Sequence, residues 1–423
     1  MGTAPADAVA SVTMTPLADA QRFVLDAVPD PVVVTLDRGE ATWSVLAEPV
    51  VATETVPPFD NTALDGYAVR AADTESAPVE LVVSGEIAAG APPDVPVTEG
   101  ACVRIMTGAP MPEGADAIVM VENSERLGVG DDGVERVRLT ESVDVGTGVR
   151  SAGDDVHVGD ELFPAGAIVT PPVEAMLASV NAQQVAVYRR PTVAVLSTGD
   201  ELISDGSPLE PGQIRESNLC MLRGMLLEAR CDVIDLGVIP DDEAELERVL
   251  LDVAERCDAI VSSGGVSMGD YDIVKAVLGR IADMTWMQVA IKPAKPFAFG
   301  TLTRTDGKRV PIFGLPGNPV SSLLSFELLA RPALRQMAGH STLTRLSMRA
   351  VADVDIPRRP DGKTHVMRCT GSFEADGRYH VRPVGAQGSH QLAATSTADA
   401  VILVRDGDGL AVGDEVDALL LTG

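Results

Sequence analysis

The chain has 423 residues and a formal net charge of −29, from 62 acidic and 33 basic side chains. At about 150 residues per domain this length calls for roughly three folded units, and so acidic a surface repels nucleic acid and anionic membranes. No apolar run reaches the ~18 residues of a membrane helix, and the N-terminus lacks the basic start and apolar block of a secretory leader, so a cytoplasmic protein is expected.

Residues 1–48 open with a helical pattern that ends near Val34. From 49 to 147, short apolar runs between turn formers, among them VELVVSGEIAAG (79–90), predict a small β-rich domain. Residues 125–139 read as a surface hairpin turning at Asp132 and Gly133. Two segments there gather polar residues. PFDNTALDGYAV (58–69) holds Asp60, Asn61 and Asp65 around Gly66, and RIMTGAPMPEGADAIVM (104–120) offers Thr107 and Gly108 after a strand. Turn formation accounts for both. Over 148–188, short strands precede a helix begun by Pro171 or Pro172 and bearing Ala175, Met176, Leu177 and Val180.

From 190 the pattern becomes strand, helix, strand, helix. TVAVLS (192–197), DVIDLG (232–237), DAIVS (258–262) and RVPIFG (309–314) are apolar strands. Between them Leu246, Val249, Leu250 and Val253, and again Val274, Val277, Leu278 and Ile281, lie on one helical face. This alternation predicts a three-layer α/β domain with a mostly parallel sheet. After about 341, short strands return, predicting a C-terminal β-barrel or sandwich. The expected fold class is therefore multi-domain α/β plus β.

In open α/β sheets ligands bind beyond the carboxyl ends of the strands, and here those ends carry unusual loops. SSGGVSMGDYD (262–272) places Ser263, Gly264, Gly265, Ser267 and Gly269 before a helix that Asp270 could cap. Its glycines let backbone N–H groups approach an anion, while Asp270 and Asp272 call for a bridging cation such as Mg²⁺. FGLPGNPVSS (313–322) offers Pro316, Gly317, Asn318 as a natural N-cap and Pro319 at the first helical position. STGDEL (197–202) adds Asp200 and Glu201. AIKPAKPFAFG (290–300) holds Lys292 and Lys295 before prolines on a stiff segment, a cationic clamp for oxyanions.

Lysine placement is informative because the chain has only five, Lys275, Lys292, Lys295, Lys308 and Lys363. A surface rich in carboxylates and poor in lysine suits high salt, where the Debye length falls to ~3 Å at 1 M, so a halophilic source is expected. The five cysteines, Cys102, Cys220, Cys231, Cys257 and Cys369, are odd in number and form no C-x-x-C pair. They read as reduced, buried, apolar side chains. No zinc spacing, Walker A loop or nucleophile elbow is present.

In this order, PFDNTALDGYAV, RIMTGAPMPEGADAIVM, STGDEL, SSGGVSMGDYD, AIKPAKPFAFG, FGLPGNPVSS and GAQGSH (385–390) resemble the MoeA family of molybdopterin molybdenumtransferases, which includes gephyrin-like E-domains. The resemblance implies a two-segment elongated domain (1–48 and 148–188), a β-rich domain (49–147), an α/β domain similar to MogA (189–340) and a C-terminal β-barrel (341–423). It implies a homodimer whose site joins the α/β domain to the partner's β-rich domain, with Asp60 and Thr107 acting in trans. The implied reaction takes adenylylated molybdopterin and molybdate, or tungstate, to the metal cofactor and AMP with Mg²⁺. Glu201, Asp241 and Asp272 would hold Mg²⁺ or orient the attacking oxygen. Lys292 and Lys295 would neutralise the oxyanion, Ser321, Arg368 and Ser389 would help place it, and Asp155 matches an acidic position. Gln288, Ala294 and Lys363 depart from the family pattern, which more often has Lys, Gly and Arg there. Rival readings are a molybdopterin adenylyltransferase and a non-enzymatic scaffold.

Overall fold

The computed structural model describes residues 14–266 and 273–421. They form two compact units, one made of Thr35–Thr42 with Glu48–Ala186 and the other of the remaining segments.

In the first unit a six-stranded sheet has the spatial order Ala117–Met120, Gly66–Val69, Ala101–Ile105, Val79–Ile87, Glu135–Leu139 and Ser124–Val129. Apolar residues on its two faces build separate cores, Tyr67, Val69, Cys102 and Val119 on one and Ala68, Val103, Ile105 and Ile118 on the other. The expected hairpin is present. Gly130 N–H donates to the Val134 carbonyl, Gly133 turns the chain with a φ of 76°, and Ser124–Val129 forms a largely exposed edge strand. Pro171 opens the expected helix, Pro171–Ser179.

In the second unit the α/β sheet is built from β1 (Thr192–Thr198), β2 (Asp232–Ile239), β3 (Ala259–Ser263), β4 (Ala282–Gln288), β5 (Pro296–Thr303) and β6 (Arg309–Leu315), in the order β2-β1-β3-β6-β5-β4. The first four are parallel, and β5 and β4 add an antiparallel edge. Helices α1 (Asn218–Glu228), α2 (Glu243–Ala254), α3 (Ile273–Ile281) and α4 (Pro319–Ser325) cover it. Alternation along each strand feeds two cores. Val193, Val195, Val261, Phe313 and Leu315 pack with Leu222 and Leu226 of α1 and Leu324 of α4, whereas Ala194, Leu196, Ile260 and Ile312 pack with Leu246, Leu250, Val274 and Val277. Each fully buried Leu, Ile, Val or Phe contributes roughly 1.5–3 kcal/mol, so burial on both faces explains the continuous apolar strands.

The N-terminal helix is shorter than its sequence pattern suggests. It spans Leu17–Ala27, and Val33–Asp37 is a strand. Pro29, Pro31 and three consecutive valines, Val32–Val34, favour extended backbone over helix. The helix docks Ala20 and Val24 into the α/β core, with the Phe23 ring edge-on to Phe299.

The C-terminal segment closes into a five-stranded barrel. Thr364–Phe373, Tyr379–Pro383, Ser347–Ala352, Glu415–Leu420 and Ala400–Val404 follow one another, and the last pairs back with the first. The two-residue strand Ile291–Lys292 joins this barrel alongside Thr364–Phe373. Among the described residues, no helix is long and apolar enough to cross a membrane.

Candidate active site

A cavity of about 700 Å³ opens at the carboxyl ends of β1, β2, β3 and β6. Thr198, Gly199, Glu201 and Leu202 line it after β1, Asp241 after β2, Ser263–Val266 at β3, and Pro316–Asn318 after β6. Gln288, Lys295 and Pro296 contribute from the antiparallel edge, and Asn218 from the start of α1.

Specific hydrogen bonds tie these loops together. Gly264 N–H donates to the Leu315 carbonyl at 3.0 Å. The φ of Gly264 is +100°, and a Cβ there would lie 3.1 Å from the Thr198 carbonyl oxygen, so this turn needs glycine. Asp241 N–H donates to the Asp200 carboxylate at 3.0 Å, joining the ends of β1 and β2. Glu216 accepts from the Ser197 hydroxyl at 3.0 Å and from Leu219 N–H at 2.7 Å, anchoring the start of α1 beside β1. Asn218 Nδ2 donates to Ser263 Oγ at 2.8 Å and to the Gly317 carbonyl at 2.7 Å, so one side chain holds both glycine-rich loops.

Glu201 and Asp241 are exposed carboxylates, and Lys295 is the cation lining this cavity among the described residues. The described residues contain no cluster of three or more His, Cys, Asp or Glu side chains placed to hold a metal alone. Two carboxylates nevertheless suit Mg²⁺, which takes one or two protein carboxylates and fills its octahedron with water and substrate phosphate. The residues present therefore fit that ion in company with a phosphate ligand.

Of the residues singled out in the sequence, Glu201, Asp241, Ser263, Gly264, Gly265, Lys295, Pro316, Gly317 and Asn318 share this cavity. Ser267, Gly269, Asp270 and Asp272 lie outside the described residues. The expected clamp of two lysines divides. Lys292 pairs in register with His365 and lines a different cavity of about 410 Å³ with Arg358, Arg359 and Asp361. Ala294 explains the separation, because its φ of +72° turns the chain between the two lysines, and Val289 N–H closes the loop onto the Lys295 carbonyl.

Asn318 takes the N-cap position of α4, without a side-chain capping bond. Pro319 opens that helix, and Ser321 is buried within it at 5% exposure; neither lines the cavity. Arg368 is completely buried, and burial lowers its pKa. Its guanidinium donates to the carbonyls of Ala386, Gln387 and Gly388, so it organises the GAQGSH loop. Ser389 accepts Val320 N–H through its carbonyl at 3.0 Å, which fastens that loop to α4. Neither Arg368 nor Ser389 lines the cavity.

In the first unit, Asp60, Thr107 and Asp155 sit on loops that bond to one another. Asp60 accepts Ala152 N–H at 2.8 Å, Gly108 N–H donates to the Thr62 carbonyl, and Gly153 N–H to the Pro57 carbonyl. Asp155 N–H donates to the Val56 carbonyl. Thr107 donates its N–H and its hydroxyl to Asp65, which holds that carboxyl below its ordinary pKa.

Asn218 and Thr198 line the cavity without being singled out by the sequence, and Gln288 stands out there only as a departure from the family pattern. The one available signal for Asn218 is a polar residue opening an apolar helix directly after a short strand. Four cysteines are buried as expected, with thiols pushed up to about 12 by burial, whereas Cys220 is exposed because it faces out from the first turn of α1.

Comparison with known proteins covers both units. The chain matches the MoeA N-terminal region (domain I and II) over residues 15–181, a probable molybdopterin binding domain over 194–336 and the MoeA C-terminal region (domain IV) over 349–421. It is 36% identical to a molybdopterin molybdenumtransferase of Haemophilus influenzae over 90% of this chain and 92% of that protein. It is 38% identical to molybdopterin molybdenumtransferase 2 of Mycobacterium tuberculosis over 87% of this chain and 90% of that one. The crystal structure of the molybdopterin biosynthesis moeA protein from Pyrococcus horikoshii OT3 superposes with a TM-score of 0.74 at 29% identity, covering 96% of this chain and 100% of that one. With three consecutive regions matched and relatives above 30% identity along most of its length, the chain belongs to the MoeA family.

Proposed function

We propose that this protein is a molybdopterin molybdenumtransferase of molybdenum cofactor biosynthesis, which inserts molybdate into adenylylated molybdopterin and releases AMP. One observation carries the reading: a single cavity brings together two glycine-rich loops, two carboxylates and a lysine. Gly264 N–H is already given to the Leu315 carbonyl and Pro316 has none, so the backbone N–H groups of Gly265, Gly317 and Asn318 are the ones suited to phosphate oxygens, since glycine lets an anion approach closely. Lys295 supplies the positive charge that an incoming oxyanion needs. Glu201 and Asp241 would hold Mg²⁺, which supplies charge neutralisation at the phosphate when bound. By resemblance Asp272 joins them.

The same reading assigns Asp60 and Thr107 to a second copy of the chain, each copy completing the other's site in a cytoplasmic homodimer, with Asp155 at an acidic position of the family pattern. Family likeness extends beyond the α/β domain to the N-terminal and C-terminal regions, which favours a transferase over an adenylyltransferase built on that domain alone. The acidic surface supports a halophilic setting.

The direct test incubates the protein with adenylylated molybdopterin, Mg²⁺ and molybdate in high salt and measures AMP. Molybdate-dependent AMP release is expected, and Glu201→Ala should slow it at least tenfold. AMP release that ignores molybdate would refute the proposal.

A further inference from the structure

We propose that Asn218 is a positioning residue whose side-chain carbonyl accepts a hydrogen bond from an uncharged amino group on the heterocycle of the bound ligand. This rests on the transferase reading above. Asn218 opens α1, is 8% exposed and lines the cavity. Its amide orientation is determined by chemistry, because the Gly317 carbonyl it meets at 2.7 Å can only accept, so nitrogen must face that loop. The other end of the amide, Oδ1, takes part in neither of these two contacts. Oδ1 is buried and has no hydrogen-bond partner among the described residues.

A buried acceptor left unmade is costly, and that cost disappears when a ligand donor reaches it. Oδ1 bears partial negative charge and no proton, so it repels phosphate or molybdate oxygens and selects N–H donors. The neighbouring cavity wall suits a flat ring, for Leu202, Ile214, Val266 and Pro316 are apolar. The anionic parts of the ligand fall to the glycine loops and Lys295, leaving Asn218 to read a ring amino group. Both the pterin and the adenine of the proposed substrate carry one.

Two ligand pairs test this by calorimetry on the full chain. AMP is compared with purine riboside 5′-monophosphate, which lacks the amino group, and pterin with its 2-dimethylamino derivative, which lacks the amino hydrogens. In one pair the wild-type protein should favour the amino-bearing member by roughly tenfold or more, and Asn218→Ala should reduce that preference to less than about threefold. The pair that responds identifies the base. Asn218→Ser carries the same comparison if the alanine variant does not fold. Equal affinities within both pairs, or a preference that both variants retain, would overturn the assignment, as expected if Asn218 only clamps the loops. Failure of every probe to bind would overturn the transferase reading with it, whereas binding without discrimination overturns this inference alone.

Discussion

The Asp200 carboxylate accepts the backbone N–H of Asp241 at 3.0 Å, linking the ends of two adjacent parallel strands. Asp200 itself does not line the cavity, while its neighbours in this link, Glu201 and Asp241, do. Removing this outer hydrogen bond frees the two carboxylates to separate. Asp200→Ala should therefore leave the thermal midpoint nearly unchanged but raise the Mg²⁺ concentration for half-maximal AMP release by about 10- to 100-fold, the usual cost of a lost outer-shell partner. An Mg²⁺ titration of initial rates checks it, and an unshifted curve would remove Asp200 from the site.

A site shared between subunits makes a quantitative prediction about mixtures. Asp60→Ala and Glu201→Ala should each be nearly inactive alone. If the residues come from opposite subunits, unfolding and refolding the two variants together creates heterodimers with one intact site. An equal mixture should then recover about a quarter of wild-type activity, because half the dimers are mixed and each has one working site of two. A site built within one chain would recover nothing.

Ala294 holds a φ of +72° while 3% exposed, where most residues prefer negative values. The left-handed conformation costs an L-residue ~1–2 kcal/mol, and glycine's extra freedom in the unfolded chain returns ~0.5–1 kcal/mol of that gain. Ala294→Gly should raise stability by about 0.5–1 kcal/mol, read as a shift in urea midpoint. No gain, or a loss, would mean that the buried methyl group outweighs the backbone strain.

The α/β sheet was legible because burial on both faces produces unbroken apolar strands, and α2 and α3 because their one-sided burial imposes a 3.6-residue period. The antiparallel edge strands β4 and β5 were not, since β4 (ADMTWMQ) has no unbroken apolar run and β5 begins at the end of the lysine- and proline-rich stretch 291–296. Loop residues of the cavity could be found from their glycines. Asn218 could not, because its significance lies in two contacts 45 and 99 residues away in sequence. Lys292 is the opposite case: it lies close to Lys295 in sequence, and one left-handed residue between them gives each its own cavity.

With a net charge of −29, the folded chain repels itself in dilute buffer more than the expanded chain does. Raising KCl shortens the screening length from ~10 Å at 0.1 M to ~3 Å at 1 M, so the thermal midpoint should climb steadily across that range. Sodium chloride at equal ionic strength should act alike if screening is the cause. A midpoint indifferent to salt would count against a halophilic adaptation.

His340 gives the clearest pH prediction. It is 9% exposed, and burial first, then the nearby Arg335, Arg230 and Arg331, push its pKa down from 6.5 to about 4. The unfolded chain therefore binds a proton at this residue between those values while the folded chain does not. Stability from the neutral imidazole is complete above about pH 6.5, falls as the pH drops toward 4, and changes no further below it. A shift of that size corresponds to about 3 kcal/mol, at order-of-magnitude precision. His340→Gln keeps a polar side chain of similar reach but cannot titrate. The stability difference between wild type and variant, measured by urea unfolding at a series of pH values, should move in the variant's favour by roughly that amount as the pH falls from about 7 to about 4. Parallel curves would show that His340 is protonated as readily inside the fold as outside it, and that burial among arginines does not govern its charge.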